Sequence, residues 1–149
     1  MAYEELTFRL PVEHDKVAEF ASAVGEDNAV FYDTEAARLH GLPDVLAPPT
    51  FTVTQIFHVP RAEREQKLGA NLDYARVLHG EQEFVYPRLP IAGEVLTGRM
   101  RIAQDFTKEG KRGGTMRFVT YETAYTDAQG EDVLTANYTL IETSKDAAS

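Results

Sequence analysis

Residues 24–33 read Val-Gly-Glu-Asp-Asn-Ala-Val-Phe-Tyr-Asp, and this stretch separates two segments with helical patterns. Before it, residues 13–24 carry apolar side chains at helical spacing, which predicts an amphipathic helix that ends near Gly25. After it, a short helix is predicted at residues 34–39, because Gly41 and Pro43 would stop it. The stretch is therefore a polar connection between two helices.

Strand patterns occupy the rest of the chain. One strand is predicted at residues 5–10, and four more at residues 77–86, 95–107, 115–126 and 133–142. Residues 61–71 are polar and are predicted to form a loop with some helix. One strand, then helices, then four hairpin-linked strands is an α+β order.

The local sequence predicts two hairpin turns and the core-facing residues of one strand. Residues 109–114 and 127–130 contain the turn residues that favour hairpins. On the third of the four later strands, Met116, Phe118 and Val119 are predicted to face the core.

Three segments together resemble the MaoC-like dehydratase family, in its N-terminal-domain branch. They are residues 24–33, Val45-Leu-Ala-Pro-Pro-Thr-Phe51, and Val77-Leu-His-Gly-Glu-Gln-Glu-Phe84 followed by Pro90-Ile-Ala-Gly-Glu-Val-Leu96. The resemblance implies a single hot-dog fold, an antiparallel sheet wrapped around a central helix, over residues 1–143. Residues 144–149 are small and polar, and are expected to be a disordered tail.

The central helix is expected at residues 50–57 from this resemblance. Pro49 suits a helix start, because its missing N–H would be unpaired there in any case. Several β-branched residues in the same segment would by themselves suggest a strand.

The first segment resembles the family pattern Gly-Asp-x-Asn-Pro-(Ile/Val)-His-x-Asp, with two notable departures. Gly25, Asn28, Val30 and Asp33 match the pattern, and Ala29 replaces its Pro. Glu26 stands in the position of the family's catalytic Asp, and Phe31 in that of its catalytic His. The proton-transfer pair of the family is therefore incomplete in this chain.

Hydration of an enoyl thioester requires a base, an acid and donors to the thioester carbonyl. The candidate catalytic residues are Glu26, which could act as a lone base with Asn28 fixing a water, and His79 on a predicted strand. The backbone N–H groups of Thr50 and Phe51 are candidate donors at the start of the central helix. The alternative is that Glu26, Asp27 and Asp33 are solvated or helix-capping acids and that His79 is structural.

Substrate contacts are expected from Thr50, Phe51 and Gln82, together with cations for the phosphates of coenzyme A or a phosphopantetheine arm. Those cations are Lys108, Lys111, Arg112 and Arg117, with a second set at Arg61, Arg64 and Lys67. No cofactor is expected beyond the coenzyme A or phosphopantetheine that belongs to the substrate. The spacing of the His and acidic residues does not suggest a metal site.

Composition excludes several classes of function. The net charge of −9 argues against nucleic-acid binding, which requires clustered positive charge. There is no Cys, no long apolar run and no signal-peptide pattern, so a soluble cytoplasmic protein is expected.

The resemblance thus implies a non-catalytic, acyl-thioester-binding subunit of a (3R)-hydroxyacyl thioester dehydratase. Its substrate would be an acyl-coenzyme A or an acyl carrier protein thioester, and its catalytic His would come from a MaoC-like partner subunit. The alternatives are a homodimeric binder without lyase activity, or a self-sufficient hydratase or thioesterase that uses Glu26 or His79. A thioesterase is the less favoured enzyme, because residues 50–58 contain no Asp or Glu.

Overall fold

The computed structural model describes residues 4–111 and 114–144. The strands within them are β1 Leu6–Pro11, β2 Val77–Val85, β3 Val95–Glu109, β4 Thr115–Thr126 and β5 Asp132–Glu142. The α-helices are α1 His14–Ala23, α2 Thr34–Leu39 and α3 Arg61–Leu68, and 3₁₀ helices cover Ala29–Phe31, Phe51–Phe57 and Tyr74–Arg76. Arg112 and residues 145–149 of the predicted tail lie outside the described residues.

The five strands form one antiparallel sheet in the order β1-β3-β4-β5-β2, which confirms the α+β class. The hairpins β3–β4 and β4–β5 are as predicted. The predicted hairpin between β2 and β3 is wrong, because β2 pairs with β5 and β3 pairs with β1. The connection contains Pro87 and Pro90, which have no N–H to donate to a hairpin. Strands β1 and β2 are therefore the edges of the sheet.

One face of the sheet, the inner face, carries the core together with the helices. Val119, Tyr121 and Tyr125 of β4 are buried there and pack with residues of α1, α3 and the Phe51–Phe57 helix. Phe118 lies on the opposite face, where its ring stacks on that of Phe106 at 5.1 Å. The prediction that Phe118 faces the core alongside Val119 is wrong, because consecutive strand residues point to opposite faces.

The Phe51–Phe57 helix corresponds to the predicted central helix, but it is a 3₁₀ helix. Phe51 and Thr52 are buried, whereas Ile56 is 61% exposed and Phe57 is 79% exposed. The Thr54 hydroxyl donates to the Phe51 carbonyl at 2.8 Å. Such local bonds and the β-branched side chains disfavour an α-helix, which explains why a fully buried central helix does not form.

Gly98 gives room for the packing of β1 against the inner face. A Cβ atom on Gly98 would lie 2.4 Å from Cζ of Phe8. The Phe8 ring is in turn packed edge-on against Tyr125, with a centroid distance of 5.9 Å. The absence of a side chain at Gly98 therefore allows the Phe8 ring to lie against β3 while it packs on Tyr125.

We expect Gly98→Ala to lower the free energy of unfolding by about 1–3 kcal/mol, because the Phe8 ring must move within a packed core. Urea denaturation of the purified variant measures the change. Arg99→Ala is the matched control, since Arg99 is an exposed neighbour whose nearest acid, Glu5, is 3.9 Å away, and its effect should stay below about 0.5 kcal/mol. Equal stability of Gly98→Ala and the parent protein would contradict this packing.

Candidate functional site

The first segment, the second segment and the 90–96 part of the third segment lie side by side. The Leu46 amide donates to the Val30 carbonyl at 3.0 Å, the Ala47 amide to Pro90 at 2.8 Å, and the Ala92 amide to Val45 at 2.9 Å. Backbone hydrogen bonds therefore join the motif at residues 24–33 to the entry of the 3₁₀ helix and to the turn before β3.

Phe31 is buried in a small apolar cluster with Ala21, Val30 and Ala37. At this position the side chain has no proton to exchange and is enclosed by other apolar groups. Phe31, which the resemblance aligns with the family's catalytic His, is therefore a packing residue in this structure.

The polar residues of the motif support the backbone. The Asn28 Oδ1 atom accepts a hydrogen bond from the Val30 amide at 3.0 Å. Asp33 Oδ1 accepts from the Ala36 amide at 2.9 Å and caps α2, which confirms the capping interpretation for Asp33. The Tyr32 hydroxyl donates to the Glu26 carbonyl at 2.5 Å, while the Glu26 side chain is half-buried.

His79 lies on the edge strand β2, away from the segment that follows α1. Its side chain is exposed, and its ring stacks on Tyr138 with a centroid distance of 6.0 Å. The register shifts between His79 and Glu81, and a Cβ atom on Gly80 would lie 2.7 Å from Cδ1 of Ile141. Gly80 is therefore the residue that allows this bulge.

A groove of about 550 Å³ runs between α1 and the Phe51–Phe57 helix. Phe20 and Phe51 meet there edge-to-face at 5.7 Å. The groove is large enough for a small ligand and mostly apolar. Its lining residues are Pro11, Glu13, Lys16, Glu19, Phe20, Ala23, Phe51, Thr54, Phe57 and His58.

One of the two predicted backbone donors, the N–H group of Phe51, has a partner within the fold. The Phe51 amide donates to the Pro48 carbonyl at 2.9 Å, and the Thr50 carbonyl accepts from the Val53 amide at 3.1 Å. The Tyr86 hydroxyl donates to the Pro49 carbonyl and holds the same turn. Phe51 therefore contributes its ring to the groove, whereas its N–H group stabilises the start of the helix.

A second, smaller cavity of about 20 Å³ lies on the other side of this helix, against β2, β4 and β5. Gln82, a predicted substrate residue, lines it and donates from Nε2 to the Asn137 carbonyl at 3.0 Å. The other polar lining residues carry no signal in the sequence that marks them as site residues. They are Thr52, Gln55, Thr123, Tyr125 and Tyr138.

Arg64 does not lie on the surface, where a phosphate-binding cation is expected. It is 8% exposed and donates to the hydroxyl oxygens of Tyr138 and Tyr74, the latter at 2.6 Å. Its guanidinium also lies 4.9 Å from the centre of the Tyr121 ring. Arg64 is therefore a structural residue beneath the inner face of the sheet.

Glu65 and the surrounding tyrosines complete this cluster. The Tyr74 hydroxyl donates to Glu65 Oε1 at 2.7 Å, and that of Tyr121 at 3.3 Å. Burial, together with the bond to Glu65, raises the pKa of Tyr74 to about 12. Burial also raises the pKa of Tyr121 and of Tyr138 above the usual range. All three hydroxyls are therefore neutral near pH 7.

The remaining predicted cations among the described residues are Arg117, which is paired, and Arg61, Lys67, Lys108 and Lys111, which are exposed. Arg117 pairs with Asp105 through bonds of 2.8 and 2.6 Å and donates to the Ala70 carbonyl at 2.8 Å, so it ties strands to a loop. Lys108 and Lys111 are exposed at the β3–β4 hairpin. Arg61 is exposed and covers the Tyr74 ring at 4.4 Å.

No helix in the parts of the chain that the structure describes is long and apolar enough to cross a membrane.

Comparison with known families and proteins gives consistent matches. Residues 2–136 match the family model for the FAS1-like dehydratase domain region. A UPF0336 protein of Clavibacter michiganensis subsp. michiganensis is 43% identical over 137 residues, which cover 91% of this chain and 87% of the relative. A UPF0336 protein of Streptomyces avermitilis is 38% identical over 131 residues, covering 87% of this chain and 83% of the relative.

Solved structures confirm the hot-dog fold and the MaoC-like resemblance. A MaoC-like dehydratase superposes with a TM-score of 0.80 at 27% identity, covering 95% of this chain and 41% of that one. The HadBC (3R-hydroxyacyl-ACP dehydratase) complex of Mycobacterium tuberculosis gives 0.76 at 24% identity, with 95% and 98% covered. The ChsH1–ChsH2 complex of the same organism gives 0.72 at 23% identity, with 98% and 85% covered.

We expect Arg64→Ala to lower the free energy of unfolding by at least about 2 kcal/mol, because it removes buried charge-assisted hydrogen bonds to Tyr74 and Tyr138. Arg61→Ala is the matched control on the same helix, and losing its exposed contact with the Tyr74 ring should cost about 0.5–1 kcal/mol. Urea titrations of both variants measure the difference. A cost for Arg64→Ala no larger than that for Arg61→Ala would show that the cluster does not stabilise the fold.

Proposed function

This chain belongs to the FAS1-like dehydratase-region family, and from that premise we propose that it is the acyl-thioester-binding, non-catalytic subunit of a (3R)-hydroxyacyl thioester dehydratase. The same complex would hydrate an enoyl thioester in the reverse direction. The observation that carries this proposal is the burial of Phe31 among apolar side chains at the position of the family's catalytic His.

The chemistry explains why this substitution matters. Dehydration requires one group to remove the proton at the α-carbon and a proton donor for the departing hydroxyl. Phe31 can do neither, and the Asn28 side chain is engaged in capping the Ala29–Phe31 helix. Glu26 alone offers one carboxylate where the family pattern has an Asp and a His. The proton-transfer groups would then come from a partner subunit with an intact motif.

The binding half of the function rests on the groove between α1 and the Phe51–Phe57 helix. Its mostly apolar walls suit a hydrocarbon chain, which gains about 0.8 kcal/mol for each buried CH₂ group. The 3₁₀ geometry supports this role, because Phe57 remains exposed beside the groove instead of packing into the core. Lys108 and Lys111 remain the proposed contacts for the phosphates of coenzyme A or of a carrier protein's phosphopantetheine.

The partner would join at the edge of the sheet formed by β2. Among the described residues, this strand has a neighbour, β5, on one side only. Its apolar residues Leu78 and Val85 are 47% and 53% exposed to solvent. Exposed strand edges are normally paired or covered. Two of the similar solved structures are complexes, which supports the presence of a partner subunit. A MaoC-like subunit with the Asp-His pair is the partner we propose, in the cytoplasm.

The half-buried carboxylate of Glu26 favours one alternative, a self-sufficient hydratase. In that case Glu26 would act as the base without a His. Use of His79 is the other enzymatic alternative, and a homodimeric binder without lyase activity is the third. These three alternatives differ in whether the isolated chain turns over substrate and in what it assembles with.

We expect the purified chain alone to show no hydration of crotonyl-coenzyme A or of a longer enoyl thioester, because it lacks the proton-transfer pair. Addition of a MaoC-like subunit with the intact motif should restore turnover, and native mass spectrometry should show the two chains together. Glu26→Gln in this chain should leave the activity of the complex unchanged. Turnover by the isolated chain that Glu26→Gln or His79→Gln abolishes would contradict the proposal.

A further inference from the structure

The outer face of the sheet, opposite the inner face that carries the core, has a continuous row of apolar side chains. Phe106 of β3 is paired with Phe118 of β4. Ile141 of β5 is paired with Phe118 on one side and with Leu78 of β2 on the other. Residues directly opposite each other in a sheet share a face. These four residues, the apolar row, therefore cross four strands, and Phe106 and Leu78 at its ends are each 47% exposed.

The side chains of the apolar row are ordered against one another. The rings of Phe106 and Phe118 stack with an interplanar angle of 4°. Ile141 lies over Gly80, where a Cβ atom would be 2.7 Å from Cδ1 of Ile141. The solvated face of an antiparallel sheet is normally polar. Contiguous exposed apolar side chains on such a face indicate contact with another molecule.

Charged residues of opposite sign occupy opposite sides of the outer face. On β2, the exposed residues Glu81 and Glu83 point to this face. On β3, the exposed residues Arg99 and Arg101 point to it as well, and Arg99 lies 3.9 Å from Glu5. Strands β2 and β3 are three strand spacings apart, about 14 Å. Glu83 and Arg101 are therefore too distant to pair within one chain.

A hollow of about 330 Å³ on the outer face is rich in hydrogen-bond acceptors. Its lining includes Glu81, Glu83 and Glu122. Asn137 Nδ2 donates to Glu83 at 2.9 Å, whereas Asn137 Oδ1 is buried without a hydrogen-bond partner among the described residues. A guanidinium group, which carries donors and no acceptor, matches this lining.

Arg101 has the exposure and the donors to occupy such a hollow on a second molecule. Its side chain is 54% exposed, and it directs Nε and Nη2 to Glu122 at 2.9 and 2.6 Å. A guanidinium has five N–H donors, so further donors remain for a second carboxylate. The donor and the hollow lie on the same face of one chain. An isologous contact between two copies requires such an arrangement.

We propose that the outer face binds a second copy of this chain, sheet against sheet. A two-fold axis that runs parallel to the strands, between β4 and β5, lays β3 of one copy on β2 of the other. Phe106 then meets Leu78, and Phe118 meets Ile141. Arg101 of each copy meets Glu83 at the hollow of the other copy. Apolar groups thus face apolar groups, and each base faces an acid.

The size of the outer face fits a reversible dimer. Four strands about 4.8 Å apart and the length of residues 116–124 outline roughly 500 Å² in projection. Stable interfaces bury about 800 Å² per partner, so we expect a Kd on the order of 1–10 µM. The contact uses side chains, and it leaves the backbone groups at the edge of β2 for the proposed catalytic subunit. It goes beyond the proposed function and does not depend on acyl-thioester binding.

Sedimentation velocity of the full chain, at concentrations from about 1 to 100 µM, tests the proposal. We expect a dimer whose fraction rises with concentration. Phe106→Asp should abolish this dimer, because it would bury a carboxylate against Leu78 of the other copy. Since Phe106 is half-exposed, the variant should keep the circular dichroism spectrum of the parent.

Two charge reversals test the geometry without altering the apolar row. Arg101→Glu and Glu83→Arg should each weaken the dimer by about tenfold or more, because like charges would face each other. An equimolar mixture of the two variants should dimerise with nearly the parent Kd. In the mixture, both contacts again join a carboxylate to a guanidinium. The distance between the two positions within one chain excludes an intramolecular origin for this recovery.

Glu63→Arg is the matched control, because it makes the same charge change as Glu83→Arg at an exposed position on α3. Its Kd should stay within about twofold of the parent value. A chain that stays monomeric across the concentration range would overturn the inference. A dimer that survives Phe106→Asp and both charge reversals would form elsewhere and would also overturn it. So would loss of the dimer in both charge variants without recovery in the mixture.

Discussion

Burial of Phe51 beneath the inner face of the sheet is the interaction on which the rest of the structure depends. The ring is 2% exposed and packs edge-to-face on Phe20 of α1, and burying a side chain of this size contributes about 1.5–3 kcal/mol. Phe51 anchors the start of the 3₁₀ helix Phe51–Phe57. This helix therefore lies between two spaces beside the sheet. The apolar groove lies on the α1 side, and the polar cavity lies on the side of the edge strand β2.

The same region contains the segment that resembles the family's catalytic motif. Backbone hydrogen bonds join residues 24–33 to the neighbouring segments. Two side chains of this segment have structural roles. Phe31 packs against Ala21 and Val30, and Asn28 caps the Ala29–Phe31 helix. A core residue at the position of the His stabilises this connection through apolar packing, whereas a buried His would need a polar partner there.

Local sequence signals predicted the elements that local chemistry determines. The helix Thr34–Leu39 and the strand Thr115–Thr126 have the predicted bounds, because capping and turn residues enclose them. Partner choice within the sheet could not be predicted in the same way, since the pairing of β2 with β5 depends on contacts distant in sequence. Arg64 shows the same limit, because its burial depends on tyrosines from the 3₁₀ helix before β2 and from β4 and β5.

The central claim is that this chain binds an acyl thioester but moves no proton on it. Incubation of the purified chain with a 3-hydroxyacyl thioester in deuterated water, followed by mass spectrometry of the thioester, tests this claim directly. Reversible dehydration places deuterium on the α-carbon, because the proton that returns comes from the solvent. We expect binding by calorimetry with no deuterium incorporated. Incorporation by the isolated chain that Glu26→Gln or His79→Gln removes would contradict it.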